Sequence, residues 1–353
     1  MSIQKYKSTG NKSLFDDQFT VMQLSEIGNP LDMIIQVIDF EIFRSNLEAK
    51  LLNANKKSNA GAKPFDVVMM FKILILQRYY GLGDKQVEYQ ILDRTSFKTF
   101  LGLASGDKVP DEKTVWAFRE HITNAGLVED LFEQFIVFLE AKSMIFSEGK
   151  MVDASFTIAP RQRNTKEENE KIKNGEGKEL WNDKPYKKRQ KDIDARWTQK
   201  NKENFYGYKN HAKVDSKSKF LNKYVVTSAS VHDSQALDDL LDKKDEGQKL
   251  YADSAYTGEE QEKTIVKHKM ENQVHEKGHK NKPLTDEQKK QNTQKSKTRA
   301  RVEHVFGFME QSMQGLFLRS IGIVRATGII GLINLTYNLF RYEQVVRLNI
   351  LKT

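Results

Sequence analysis

The hydrophobic period of this 353-residue chain changes near Glu148, and no other feature of the sequence constrains the fold as strongly. Before that point, apolar side chains recur at helical spacing, first between Pro30 and Leu52. A polar stretch, Asn53 to Lys63, precedes the run FDVVMMFKILILQRYYGLG, which is apolar nearly all round and predicts a buried helix ending at Gly81 and Gly83. We therefore expect an all-helical first third.

After Glu148 the apolar residues alternate or are β-branched, which is typical of strands. The runs MVDASFTIA, FYGYKNHAKVD and KFLNKYVVTSAS are followed by a helix capped by Asp233 or Ser234, and then by LYADSAYTG. This order predicts an α/β fold with helices packed on a mixed sheet. The apolar tail, Gly322 to Leu348, predicts a helical pair that covers the sheet.

The net charge of +9 is unevenly distributed. Residues 161–220 hold 18 Lys and Arg against 10 Asp and Glu, and residues 261–301 hold 12 against 5, whereas the remainder is net acidic. Such basic blocks favour a polyanion such as a phosphate backbone. Solvated, partly disordered lysine-rich loops are the alternative, and charge alone does not separate the two.

The first basic block contains a charged insertion from Arg161 to Asn204 that also holds Trp181, Tyr186 and Trp197. Cations mixed with aromatic side chains are typical of surfaces that touch nucleic acid. Residues 271–298 have almost no large apolar side chain and are predicted to form a mobile basic loop. A long helix is predicted to follow from Thr298.

The absence of cysteine excludes disulfides and zinc–thiolate sites, which fits an intracellular protein without establishing one. No basic start followed by an apolar run opens the chain, and no apolar stretch reaches the roughly 18 residues that a membrane span needs. We therefore expect a soluble protein with a polar, flexible N-terminus at residues 1–29.

The segment VPDEKTVWAFREHI begins with a cap at Asp111 and has short helices around it. Short helices joined by tight turns can form a helix-turn-helix, in which Lys113 and Arg119 would face phosphate. A helical bundle with a solvated charged face explains the same periodicity equally well.

Three carboxylates stand inside or beside apolar runs, where a lone carboxylate is costly unless it is paired or bound to a metal. They are Asp153, Asp253 and Glu303. Strand-end or helix-capping roles for the two aspartates, and an i,i+4 ion pair with Arg299 for Glu303, are the alternatives. If the three converge, they offer the oxygen ligands that Mg²⁺ prefers.

Two further groups are weaker candidates. His211 and Lys213 alternate on the second strand and could reach phosphate from the sheet, although a packed or exposed strand pair explains them equally well. His232 with Asp233 is better interpreted as a helix start than as a catalytic pair.

Several motifs in this order resemble the insertion-sequence transposases of the DDE superfamily, specifically the group named after insertion sequence five. The resemblance runs from about Pro30 to Val346, and its motifs include MVDASFTIAP, NFYGYKNHAKVD, TSASVHDSQAL, LYADSAYTG, RARVEHVFGFMEQSM and RSIGIVRATGIIGLINLTYNLFR. It implies a ribonuclease H-like catalytic domain at residues 147–353, with a basic insertion at 161–204 and a basic loop at 271–298. A helical domain at residues 30–146 is then expected to recognise transposon ends.

The resemblance also implies that Asp153, Asp253 and Glu303 form the catalytic, metal-binding triad. Two Mg²⁺ ions are expected, and Mn²⁺ can substitute. Arg299 matches the arginine four positions before the glutamate in the related Tyr-Arg-Glu-Lys signature, whereas Ser296 and Glu310 replace its Tyr and Lys. Arg301 is expected to supply part of the missing positive charge.

The function implied is a DNA transposase that cleaves transposon ends and transfers the 3′-hydroxyl to target DNA. The alternatives are a nuclease of the same fold without strand transfer and a non-catalytic DNA-binding descendant of a transposase. Expected partners are the inverted-repeat ends, target DNA and further copies of the chain in a dimer or higher assembly. The expected location is the prokaryotic cytoplasm, at the nucleoid when bound to DNA.

Overall fold

The structure is a computed structural model that describes residues 15–51, 63–200, 202–278 and 282–351. The described part of the first third is helical, as its periodicity predicts. Its helices are α1 (Asp16–Ile27), α2 (Pro30–Val37), α3 (Arg44–Leu51), α4 (Val67–Tyr79), α5 (Asp84–Asp93), α6 (Thr95–Leu101), α7 (Glu112–Asn124) and α8 (Leu127–Ala141).

Two details of this helical part differ from the sequence expectation. Helix α1 lies inside the segment 1–29 that was expected to be flexible, while residues 1–14 are outside the described residues. The run from Pro30 to Leu52 is not one helix, because α2 ends at Val37 and a 3-10 turn, Phe40–Phe43, starts at the capping carboxylate of Asp39. Most of the predicted break from Asn53 to Lys63 lies outside the described residues.

The second part contains a mixed sheet, as predicted, and the sheet has six strands in the described residues. The strands are β1 (Gly149–Ile158), β2 (Arg196–Lys200), β3 (Glu203–Asp215), β4 (Leu221–Ser228), β5 (Lys249–Tyr251) and β6 (Glu271–Asn272). Strand β3 pairs antiparallel with β1 on one side and with β2 and β4 on the other, and β5 lies parallel between β1 and β6.

The insertion between β1 and β3 is ordered where the structure describes it. It contains α9 (Lys166–Lys173), α10 (Pro185–Lys188) and strand β2, which extends the sheet. The Trp181 indole is buried and donates a 2.7 Å hydrogen bond to Glu168 Oε1, so this aromatic residue serves packing. Tyr186 and Trp197 remain exposed.

The segment 271–298 is not a loop throughout. Residues 279–281 are outside the described part, but helix α13 runs from Asp286 to Arg299 and is followed by α14 (Arg301–Gly307) and a π-helix (Phe308–Ser312). Thr285 and Gln288 form a reciprocal capping box at the start of α13. The helix buries no side chain among the described residues, so it has no hydrophobic period by which a sequence pattern could identify it.

The apolar tail forms a single 25-residue helix, α15 (Ile323–Arg347), and not the expected pair. Glycines 328 and 331 do not interrupt it; each lies where another element packs closely. By length and composition this helix could cross a membrane, whereas the sequence showed no apolar stretch that was long enough. However, 78% of its most apolar window is buried inside the protein. The Asn334 amide exchanges hydrogen bonds with Asn210 of β3, which is typical of a helix covering a sheet.

Apolar side chains cover both faces of the sheet. Met151 of β1 packs in a large core with the helical third, α14 and α15, whereas its neighbour Val152 packs in a smaller core on the opposite face. The smaller core includes α11 (Leu237–Leu240) and α12 (Glu259–Lys267). Because side chains alternate along a strand, Asp153 shares the face of Met151, towards α13 and α14.

Candidate active site

Asp153 lies within β1, and Asp253 lies two residues beyond the end of the neighbouring parallel strand β5, at the same level. The last paired residues of β1 and β5 are Met151 and Tyr251, and each aspartate follows two residues later. The Asp253 carboxylate caps the 3-10 turn Ser254–Tyr256 by accepting the Ala255 N–H at 2.8 Å. The pairing of the strands therefore brings together two carboxylates that are far apart in the chain.

The environment of Asp153 favours a cation. Its side chain is only 17% exposed, and burial raises its pKa to about 6. The Asp253 charge adds to this increase, whereas the 2.8 Å hydrogen bond from the Ala154 N–H, Arg299 and Lys200 oppose it. The raised pKa means that the surrounding positive charge does not fully offset the cost of burying this carboxylate.

Arg299 connects Asp153 with Glu303. From the last residue of α13, its Nη1 donates to Asp153 Oδ2 at 3.4 Å and its Nη2 donates to Glu303 Oε1 at 2.5 Å. Glu303, on the first turn of α14, has a 60% exposed side chain. The i,i+4 ion pair considered for Glu303 is thus present, and a single guanidinium separates the two carboxylates.

The three acids do not form a closed cluster. Among the described residues, no group of three or more His, Asp or Glu side chains lies close enough to hold a metal ion. The expectation of a tight triad is corrected here, because Arg299 occupies the space between two of its members. The donor set nevertheless fits a hard divalent ion, since Asp153, Asp253 and Glu303 all carry the carboxylate oxygens that such an ion prefers.

Two side chains at this site carry no signal that a sequence pattern could detect. The backbone N–H of His275 donates to the Ala252 carbonyl at 3.1 Å, next to Asp253, and the ring Nε2 lies 3.3 Å from Ser296 Oγ of α13. Burial lowers the pKa of His275, and Arg299 and Lys295 add to that effect. Lys200, at the end of β2, lowers the pKa of Asp153.

His211 and Lys213 are not accessible to phosphate in this structure. His211 is fully buried, and its Nε2 pairs with Thr227 Oγ1 at 2.8 Å. Lys213 is also buried, between Asp242 at 2.7 Å and Asp245 at 2.6 Å. Of the two interpretations considered from the sequence, the structure therefore supports side chains packed on the strand and not contacts with phosphate.

The other cations considered as DNA contacts differ in their surroundings. Lys113 is exposed on α7, and the exposed Arg301 donates to the Ser216 carbonyl at 2.9 Å. Arg119 is held by Asp84, with two hydrogen bonds of 2.5 and 2.8 Å, in a cleft described below. His232 caps the 3-10 turn Asp233–Ala236, in agreement with its interpretation as a helix start.

Comparison with known proteins places these residues in a family. Residues 150–339 match the family model described as Transposase DDE domain, and residues 19–121 match one described as Transposase domain. A solved structure titled "Cryo-EM structure of piggyBac transposase synaptic complex with hairpin DNA" is similar at a TM-score of 0.43 and 13% identity, over 93% of this chain and 77% of that chain. A likeness this weak supports no statement about the present chain.

Asp153, Asp253 and Glu303 all lie within the first match. The predicted resemblance to DDE transposases is therefore confirmed at the level of the superfamily. Because the match covers more than half of the 353 residues, the chain belongs to the family defined by the transposase DDE domain.

Proposed function

We propose that this protein cleaves DNA at transposon ends and transfers the resulting 3′-hydroxyl into target DNA. One observation carries the proposal: within the transposase match, the pairing of β1 with β5 brings Asp153 and Asp253 to the same level, and Arg299 links Asp153 to Glu303. The raised pKa of Asp153 supports the same assignment, because that carboxylate is in surroundings that favour an additional cation.

Asp153, Asp253 and Glu303 would hold two Mg²⁺ ions, or Mn²⁺ in their place. When bound, such ions lower the pKa of an attacking water or hydroxyl and stabilise the leaving oxygen of the phosphodiester. Glu303 would turn from Arg299 towards the aspartates, and the released guanidinium would contact a DNA phosphate. Arg301, on the following turn, would add a second cation on that side.

The wider assignment is also part of the proposal. We assign residues 147–353 to a ribonuclease H-like catalytic domain of the group of insertion sequence five, and residues 30–146 to recognition of the transposon ends. The basic insertion at 161–204, which is ordered where the structure describes it, and the exposed lysines of α13 would follow the DNA backbone. Two ends must be processed together, so a dimer or higher assembly on DNA is expected, in the prokaryotic cytoplasm.

The first test replaces Asp253 by asparagine. Asparagine is also a good capping residue, so the 3-10 turn that Asp253 caps should persist while the charge is lost. We expect cleavage of DNA carrying the flanking inverted repeats to fall by about 10³-fold or more in Mg²⁺, with DNA affinity largely unchanged. Glu259→Gln, which removes an exposed carboxylate six positions later, should leave both quantities unaltered. Undiminished cleavage by Asp253→Asn would refute the assignment.

A second test separates the transposase from the two alternatives. Purified protein is given a pre-cut transposon end with a free 3′-hydroxyl and a supercoiled target plasmid. A transposase yields covalently joined product, whereas a nuclease of the same fold yields only shortened DNA. A non-catalytic DNA-binding protein changes neither substrate.

A further inference from the structure

A cleft of about 430 Å³ lies between the helical third and the segment that follows α14. We refer to it as the arginine cleft. It is lined by the turn 81–83, by α7, by residues 313–321 and by the first turns of α15. The two parts of the chain meet closely here, because a Cβ added to Gly83 would lie 2.6 Å from Arg319 Nη1.

The lining of the arginine cleft is rich in positive charge. Its ionised side chains are Arg78, Arg119, Arg319, Arg325, Asp84 and Glu120. Arg119 is neutralised by both oxygens of Asp84. Arg325 is neutralised by Glu120, with Nε hydrogen bonds of 2.9 and 2.8 Å. The four cations therefore exceed the two anions, and both anions are already used.

The other two arginines of the cleft, Arg78 and Arg319, have no carboxylate partner among the described residues. The Arg78 Nε is buried and has no hydrogen-bond partner among the described residues. The hydroxyl of Ser320, which also lines the cleft, is likewise buried and has no partner among them. Burial lowers the pKa of Arg78 to about 10, and the neighbouring Arg119 and Arg319 add to this effect. Unpaired buried donors are costly, so they favour an acceptor in the cleft.

Two large aromatic side chains also line the arginine cleft and remain open to solvent. Trp116 of α7 is 48% exposed, and Phe317 is 62% exposed. Exposed rings beside unpaired arginines suit a nucleotide, because a base can stack on a ring while guanidinium groups bind the phosphate. A base inside a duplex is already stacked on both faces, so the combination favours an unpaired one.

We propose that the arginine cleft binds an unpaired nucleotide of the DNA substrate, with Arg78 and Arg319 on its phosphate and Trp116 or Phe317 against its base. This inference rests on the proposed function, since it assigns a second contact to the same DNA.

The cleft is joined to the candidate active site through β1. The Ile158 N–H donates to the Leu316 carbonyl at 2.6 Å, and the Leu318 N–H donates to the Ile158 carbonyl at 2.8 Å, so the segment bearing Phe317 continues the sheet at the end of β1. Ile158 is five residues beyond Asp153, about 16 Å along a strand. A nucleotide in the cleft is therefore a few nucleotides away from the phosphodiester at the aspartates.

The test measures binding of a fluorescent single-stranded oligodeoxynucleotide to the full chain by anisotropy, without divalent ions. Arg319 is exposed, so Arg319→Gln should fold normally, and we expect its affinity to be at least fivefold weaker. Trp116→Ala should weaken oligonucleotide binding by fivefold or more and leave competition by inorganic phosphate unchanged. The control is Arg347→Gln, which removes an arginine paired with Glu343 outside the cleft and should have little effect.

Equal affinities for Arg319→Gln and Arg347→Gln would overturn the arginine cleft as a binding site. A second outcome is that Arg319→Gln abolishes competition by inorganic phosphate while Trp116→Ala and Phe317→Ala leave the affinity for the oligonucleotide unchanged. That outcome would refute the binding of a nucleotide base and show that the cleft binds only an anion. Neither result depends on cleavage, because the assay contains no divalent ion. Failure of the cleft is thus distinguishable from failure of the catalytic proposal, which Asp253→Asn tests.

Discussion

Arg299 is the residue at which the candidate site departs most from the sequence expectation. The sequence predicts three converging carboxylates, whereas the structure places this guanidinium between Asp153 and Glu303. Like charges in a partly buried site repel each other, so a neighbouring arginine stabilises them as a metal ion would. The side chain that separates the acids should therefore compete with ion binding.

Replacing Arg299 by glutamine tests this competition. We expect the variant to bind Mg²⁺ about tenfold more tightly, because Asp153 and Glu303 lose the cation that holds them apart, and tenfold corresponds to about 1.4 kcal/mol. The increase in melting temperature on titration with Mg²⁺ measures the affinity without reference to activity. Arg301→Gln is the matched control, since Arg301 donates to a backbone carbonyl. Equal Mg²⁺ responses in both variants would contradict the competition.

A second prediction concerns His211, whose buried ring has a pKa lowered to about 4 by burial, with Asp233 opposing and Lys209 reinforcing the shift. In the unfolded chain its pKa is about 6.5, so the unfolded state takes up a proton first as the pH falls. Stability should therefore decrease by about 2 kcal/mol between pH 7 and pH 5 from this residue alone.

Denaturant unfolding of the wild type and of His211→Gln at both pH values measures this effect. The variant should lose less stability than the wild type, because glutamine does not titrate. The same pH dependence in both proteins would show that His211 is not responsible.

At the scale of elements, α15 shows how packing overrides a local sequence signal. Glycines ordinarily weaken a helix, and the sequence suggests two helices in this region. In the structure, Gly331 is the position at which α15 approaches α8 and β4; an added Cβ would lie 2.8 Å from Val128 Cγ1 and closer still to the Tyr224 hydroxyl. The absence of a side chain lets one long helix lie against both elements.

Gly331→Ala should therefore destabilise the protein by about 1–2 kcal/mol, since overpacking exceeds the gain in helix propensity. Gly307→Ala is the matched control, because Gly307 has helical backbone angles at the end of α14 and an added Cβ would meet no described residue within 4 Å. That change should be neutral or stabilising by up to about 1 kcal/mol. Melting temperatures that move the same way in both variants would count against the packing explanation.

Helix α13 shows the opposite case, in which a helix forms without an apolar pattern. It buries no side chain, so nothing in its apolar pattern distinguishes it from a basic loop. Its capping box and its Lys, Gln and Glu side chains favour a helix locally, and its last residue, Arg299, lies at the candidate site. The capping residues Thr285 and Gln288 are therefore the local signal by which this helix is recognisable in the sequence.

At the scale of the whole molecule, the basic charge is concentrated in the segments that flank the candidate site in sequence. Residues 161–220 and 261–301 follow the Asp153 and Asp253 strands, and the remainder is net acidic. Some of these cations are used internally, as the ion pair between Lys187 and Glu168 shows. The exposed lysines of α13 are candidates for contact with a phosphate backbone.

The salt dependence of DNA binding tests this distribution. The logarithm of the association constant should fall linearly with the logarithm of salt concentration, and Lys290→Gln with Lys297→Gln should reduce the slope by about 2 if each lysine contacts one phosphate. Lys244→Gln, outside both basic segments, should leave the slope unchanged. An identical slope in the α13 double variant would remove that helix from the DNA-binding surface.

Local chemistry in the sequence was enough to predict the helical first third and the mixed sheet, with Asp153 inside one strand and Asp253 just after another, because periodicity and strand boundaries are encoded by neighbouring residues. Only the tertiary structure decided that Arg299 separates Asp153 from Glu303, that His211 and Lys213 are buried, and that unpaired arginines from distant segments line one cleft. These features depend on which charges meet across the fold. Residues that are distant in the chain carry no local record of that contact.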